Sequence, residues 1–169
     1  MIKKWTLKPK LSKDWAARFP QIDEIVLQLL VDRGLTEQKT IDEFLNPSYT
    51  DDLHDPFLFK NMVKAVDRIF IAIEKQEPIM IYGDYDADGV CGSVILSTIV
   101  KELGAKFDVY LPHRDKEGYG LNTKAIDYLV EQKVKLMNTV DCGITNVKEV
   151  AYARQKGIDV IVTDHHQAQ

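Results

Sequence analysis

Three short segments place acidic and imidazole side chains at spacings that could bind hard divalent cations: GDYDADG at residues 83–89, VDCG at 140–143 and TDHH at 163–166. Each follows a short apolar run. If those runs are parallel strands, then Asp84, Asp86, Asp88, Asp141, Asp164, His165 and His166 meet in the crevice outside the strands' carboxyl ends. So many carboxylates in one place repel one another unless cations hold them. Carboxylates suit Mg2+ or Mn2+, and added imidazole tilts the choice toward manganese. The first segment also resembles the opening of a calcium loop. That reading fails because the twelfth position counted from Asp84 is Ile95, where a bidentate Glu is required, and because the preceding segment is a strand, not a helix.

A fourth segment, PHRDKEGYGLN at 112–122, follows another apolar run and opens onto the same edge. His113, Arg114 and Lys116 offer positive charge for a phosphate, and Gly118 and Gly120 permit close backbone approach to a ligand. Asn122 could contact the ligand or cap the next helix, a role open to Thr123 as well.

Alternating strands and helices must position these segments. IMIY, FDVYL, LMNTV and IDVIVT read as strands, with helices over 90–103, 123–132 and 146–156 between them. Near-continuous apolar strands separated by helices are what a buried parallel sheet requires, so the expected fold class is α/β, a doubly wound parallel sheet over residues 78–169. Strand order is not encoded in this pattern. Residues 1–77 read as a small helical region: Ile22, Ile25, Val26, Leu29 and Leu30 form one stripe stopped by Gly34, and Ile41, Phe44 and Leu45 form a second, capped by Thr36 and ended by Pro47. After the Pro- and Asp-rich connection at 46–56, Val63, Val66, Ile69, Phe70 and Ile73 mark a third helix.

Composition narrows the function. With 45% apolar and 28% charged residues the chain is that of an ordinary soluble domain, and no apolar run is long enough to span a bilayer. The basic start MIKKWTLKPK lacks the apolar core of a secretory signal, so a cytoplasmic location is expected. Cys91 and Cys142 fit neither a disulfide framework nor a zinc pattern. A net charge of −4 argues against bulk electrostatic capture of nucleic acid, so phosphate binding must be local.

DYDADG, then VDCG, then DHH, in this order, resembles the first three motifs of the DHH phosphoesterase superfamily. GDYDADGV, HRDKEGYGLN and TVDCGI, with LLVDRGL and FLNP ahead of them, are similar to its branch of single-stranded-DNA-specific exonucleases. They are less like its short-oligonucleotide phosphatases or its inorganic pyrophosphatases. The resemblance implies two-metal hydrolysis with two Mn2+ or Mg2+ ions. Asp86 and Asp88 would bind one metal each, Asp141 would bridge them and His165 would serve the second, while Asp84 is either a direct ligand or an outer support. Asp141, Asp164 and His166 would be the catalytic set, the last two near the scissile phosphate or orienting ligands. The implied reaction is 5′-to-3′ digestion of single-stranded DNA to 5′ mononucleotides in repair and recombination, with a single-strand-binding protein and a helicase as implied partners. The resemblance also implies a further Asp-bearing motif and further domains beyond His166, so the catalytic region would be incomplete at its carboxyl end and these 169 residues alone would hydrolyse poorly. Two rivals are a DHH phosphatase for short oligonucleotides or cyclic dinucleotides and a non-catalytic scaffold.

Overall fold

The helix over Met62–Glu74 ends before Pro78, and the sheet begins immediately after that proline. In the computed structural model, which describes Lys4 and residues 6–168, β1 (Ile79–Gly83) is buried along its whole length. It pairs in parallel with β2 (Phe107–Tyr110) on one side and β3 (Leu136–Val140) on the other, and β3 pairs in parallel with β4 (Asp159–Thr163). The order is β2-β1-β3-β4, which the sequence pattern leaves open. Register sets Tyr82 beside Tyr110 and Thr139, and Gly83 beside Val140. Strand order therefore reverses between β1 and β3, and their carboxyl ends frame the crevice in which open α/β sheets bind ligands.

Both faces of the sheet are covered. Met80, Tyr82 and Met137 pack with Ala125, Ile126 and Leu129 of α7 (Thr123–Glu131) and Ala153 of α8 (Val147–Gln155). On the opposite face Ile79 and Leu136 meet Ala72 of α4 (Met62–Glu74), and α5 (Ala87–Glu102) lies against β1 and β2. Leu129, Leu136 and Met137 are fully buried, and truncating any one of them to Ala costs about 2–5 kcal/mol by the usual cavity rule. Arg68 of α4 clasps Glu77 at 2.8 Å and Asp159 at 2.7 Å, tying α4 to the start of β4.

The chain divides into two compact units, residues 1–58 and 59–169. The change in periodicity suggests a boundary at 77, but α4 buries Ala72 against the sheet and so belongs to the second unit. The first unit holds α1 (Lys13–Ala16), α2 (Glu24–Val31) and α3 (Gln38–Leu45) around Phe19, Leu27, Leu30 and Ile41. Here the expected stripe is wrong in part. Leu27 and Leu30 are buried, whereas Ile25 is 72% exposed, because EIVLQLLV is apolar on nearly every side and offers several stripes at the same period. Likewise α3 buries Ile41 but exposes Phe44 and Leu45, and its cap position is Glu37, not Thr36. Among the described residues no helix is long and apolar enough to cross a membrane. Met1–Lys3 and Trp5 of the basic start lie outside the described residues.

Candidate metal centre

The end of β1 delivers Asp84 into the crevice as a buried residue, 2% exposed, with its backbone N–H donating to the Val140 carbonyl at 3.1 Å. Asp86 follows as the N-cap of α5. Its Oδ1 accepts from the N–H groups of Asp88 (3.0 Å) and Gly89 (3.1 Å), so α5 starts earlier than the apolar pattern from Val90 suggests. This turn can close because residue 89 is Gly: a Cβ there would stand 2.5–2.7 Å from the backbone of Asp84. The end of β3 delivers Asp141, which adopts a left-handed conformation at φ +62 with its N–H bound to the Thr163 carbonyl at 2.9 Å. Asp tolerates that region better than most residues, but it still stores of order 1 kcal/mol of strain. From the end of β4, Asp164 accepts the Ile144 N–H at 2.9 Å and the His166 N–H at 3.0 Å, and pairs with His166 Nδ1 at 2.7 Å.

Two triads result, each with its ligand atoms within 4.8 Å of one another: Asp84, Asp86 and Asp141, and Asp141, His165 and His166. Asp141 belongs to both. Its Oδ1 and Oδ1 of Asp84 are buried without a hydrogen-bond partner among the described residues. His165 Nε2 approaches Asp141 Oδ1 to 2.9 Å without forming an aligned hydrogen bond, and both atoms belong to one cluster of potential metal ligands. Burial, then the charge of Asp86, raises the Asp141 pKa, against a partial offset from the two histidines. Buried, unmet carboxylate oxygens beside imidazoles fit a hard divalent cation of the manganese or magnesium kind. Asp88, expected among the ligands, lies in the first turn of α5 and joins neither triad.

The His166 ring is held on Nδ1 by Asp164 and also by the Tyr119 hydroxyl at 3.1 Å. That contact with Asp164 raises the His166 pKa, and although burial works to raise the Asp164 pKa, hydrogen bonds from His166 and Ile144 bring it below the usual carboxylate value. Tyr119 also donates to the Asp141 carbonyl at 3.3 Å, and burial pushes its hydroxyl up to about 12. Sequence reasoning did not single out Tyr119. Its signal was its place between the two glycines of EGYG, facing the crevice.

The arm at 113–122 is more structural than its composition suggests. His113 Nδ1 accepts from the Asp115 N–H at 3.3 Å and caps α6 (Arg114–Glu117), a short helix that the sequence did not foretell. Gly120, at φ +83, is in close approach to Asn146, whose Oδ1 would lie 2.6 Å from an added Cβ. Asn122 caps α7 through the Ala125 N–H at 2.8 Å. Gly118 takes a positive φ of 77, and Lys116 is exposed. Of the expected phosphate contacts, Arg114 meets the acidic turn at Tyr85, its guanidinium carbon 5.3 Å from that ring's centroid.

Comparison with known proteins identifies the family and the fold. A profile described as the DHH family, N-terminal domain, matches residues 78–169. The chain belongs to the DHH family. Single-stranded-DNA-specific exonuclease RecJ of Bacillus subtilis (strain 168) is 45% identical over 146 residues, 86% of this chain and 18% of that protein. RecJ of Thermus thermophilus is 39% identical over 119 residues, 69% of this chain and 18% of the relative. This DHH chain thus spans under a fifth of the length of either. A crystal structure of exonuclease RecJ bound to manganese aligns with a TM-score of 0.62 at 39% identity, over 65% of this chain and 28% of that one. RecJ from Thermus thermophilus in complex with Mn2+ aligns with a TM-score of 0.60 at 28% identity, over 92% of this chain and 21% of that one. The DHH fold class, a parallel α/β sheet, is shared with both.

Proposed function

We propose that this DHH chain carries the hydrolytic metal site of a single-stranded-DNA-specific exonuclease that works 5′ to 3′ and releases 5′ mononucleotides. The observation that carries the reading is Asp141, common to two triads of ligand atoms, with a buried oxygen that has no hydrogen-bond partner among the described residues. The RecJ relatives, two of them bound to manganese in their solved structures, support it. Asp84, Asp86 and Asp141 would hold one ion, and Asp141 with His165 would take part in holding a second, either manganese or magnesium. Bound ions supply Lewis acidity and bring water toward hydroxide near neutral pH.

The chain's own groups do the rest. Asp164 and Tyr119 fix the His166 ring through Nδ1, which leaves Nε2 as the nitrogen available to a phosphate oxygen. Arg114, reinforced by Lys116, supplies charge to a substrate phosphate, a contact that costs no metal ligand. The Asp88 backbone N–H helps close the helix start on Asp86, and its carboxylate lies outside both triads. With a net charge of −4, the 169 residues hold a polyanion through few cations, so slow turnover by this chain alone is expected. Single-strand-binding protein and a helicase are the partners that family membership suggests, and a cytoplasmic site of action goes with them.

The test is mononucleotide release from 5′-phosphorylated single strands in manganese, compared with dinucleotide hydrolysis, in the chain and its Asp141→Asn variant. Metal-dependent release from long strands that disappears in the variant is expected. Preferential hydrolysis of dinucleotides would overturn the exonuclease reading in favour of a short-oligonucleotide phosphatase.

A further inference from the structure

One carboxylate closes the arm at both ends. Glu117, half-buried on α6, accepts the Tyr110 hydroxyl on Oε1 at 2.5 Å and the His113 N–H on Oε2 at 2.7 Å, and Asn122 Nδ2 reaches Oε1 at 3.3 Å. Tyr110 ends β2, His113 opens the arm and Asn122 caps α7, so three elements converge on this single side chain. The frame behind it is rigid: Tyr110 stacks on Tyr82 with ring centroids 5.1 Å apart, and the Tyr82 hydroxyl donates to the Gly120 carbonyl at 3.1 Å. At the other end of the same short helix, Arg114 stands over Tyr85, the residue between Asp84 and Asp86.

We propose that Glu117 is a positioning residue: by tying the arm to β2 and α7 it sets Arg114 over Tyr85 at the edge of the acidic crevice, ready for a substrate phosphate. The last clause rests on the exonuclease reading above; the placement of Arg114 does not. Chemistry favours a carboxylate over its amide here. Both oxygens face donors, and an ionised carboxylate is acceptor-only. Gln has one acceptor oxygen, so it can satisfy Tyr110 and Asn122 but must set an NH2 against the His113 N–H. A graded response follows, with Ala releasing the whole arm and Gln releasing chiefly its His113 end.

The experiment uses the 169-residue chain labelled with 15N, reading the Arg114 side-chain N–H signal, which the Tyr85 ring displaces, and the exchange rate of the His113 amide. Glu117→Ala is expected to move the Arg114 signal to the position it takes in Tyr85→Leu and to speed His113 exchange at least tenfold. Glu117→Gln should speed His113 exchange while holding the Arg114 signal near its original place, and calorimetric manganese affinity should change less than twofold in both. An unmoved Arg114 signal in Glu117→Ala overturns the proposal; if that variant fails to fold, unchanged His113 exchange in Glu117→Gln overturns it as well. For the substrate half, affinity for a 5′-phosphorylated oligothymidylate is measured in wild type, Glu117→Ala, Arg114→Ala and the double variant. A loss of about tenfold in each single variant, not deepened in the double, supports positioning through Arg114, whereas additive losses overturn it. Should Arg114→Ala bind the oligonucleotide as wild type does while Glu117→Ala still moves the Arg114 signal, the placement stands and the reading of the substrate falls.

Discussion

The crevice between β1 and β3 and the arm that follows β2 have similar compositions, both rich in charged residues and glycine, yet they treat polar atoms in opposite ways. In the crevice, buried oxygens of Asp84 and Asp141 have no hydrogen-bond partner among the described residues, and Asp141 is held in a left-handed conformation with its pKa raised. In the arm, the oxygens of Glu117 have three donors between them, and Asn122 and Asn146 are bonded to backbone. An unmet buried carboxylate costs stability unless a ligand compensates it, while a satisfied one holds shape. The contrast separates a region built for a ligand from a region built to hold something over it.

The sharpest way to break that contrast is Asp141→Asn. Asn tolerates φ +62 and keeps the shape, but it removes the charge on which both triads depend. Manganese affinity should fall by ~100-fold, at or beyond the usual cost of losing a ligand or its support. Without metal, the variant should melt higher than wild type, because a carboxylate whose pKa is raised by burial and by Asp86 destabilises the fold while ionised. In wild type, manganese should close that gap by mass action. Titration calorimetry and thermal melts with and without manganese read both effects; a metal-free melting point that falls in the variant would mean Asp141 is a structural group like Glu117.

Next in size is Gly89→Ala. The added Cβ meets the Asp84 backbone, which cannot yield as a flexible side chain would, so the first turn of α5 must move away and take the Asp86 cap with it. About 1–3 kcal/mol of stability should be lost, as for other overpacked sites, together with roughly tenfold in manganese affinity. Urea unfolding and calorimetry check this. A variant that loses stability but keeps its manganese affinity would uncouple the α5 start from the ligand set.

How much of this was legible in the residues depends on what produced each feature. Strands such as IMIY and LMNTV are apolar without interruption because both their faces are covered, and that pattern places Asp84 and Asp141 at strand ends without any coordinates. Strand order was not legible, since it follows from which helix crosses which face. The start of α5 was missed because GDYDADG reads as loop, although an Asp followed by helix-compatible residues is a cap signal. Neither α6 nor the function of Glu117 has a period to read: a helix of four residues carries no stripe, and its glutamate serves residues on other elements. The faces of α2 were misread because its apolar residues nearly encircle it.

A smaller effect should come from Asn122→Ala, which removes the cap of α7 and the Glu117 contact together. About 1 kcal/mol is expected, the usual worth of an Asn cap. Manganese affinity should stay unchanged, since no ligand atom moves, and unfolding in urea with a parallel metal titration decides it.

The smallest effect is a pH dependence that belongs to the arm alone. Burial alone would raise the Glu117 pKa, but the His113 N–H, the Tyr110 hydroxyl and the Asn122 amide all favour the charged form, and the balance lies below the ordinary value of 4.5. A carboxylate with a lowered pKa in the folded state contributes stability that is present above its unfolded value and is lost as pH falls through its folded value. Wild type should therefore lose stability relative to Glu117→Gln as the pH is lowered from about 5 toward 3, since the amide has no proton to take up. Other carboxylates titrate in the same window, and the comparison with the amide cancels them. Asp141 works in the opposite sense: its raised pKa makes protonation favour the fold, so in Asp141→Asn the advantage over wild type should shrink as pH falls. Thermal melts of the three proteins across that range, without metal, give two difference curves of opposite slope. Curves of the same sign would show that arm and crevice do not differ in how they hold their carboxylates, and would remove the distinction on which the assignment of Asp141 to metal and Glu117 to scaffold depends.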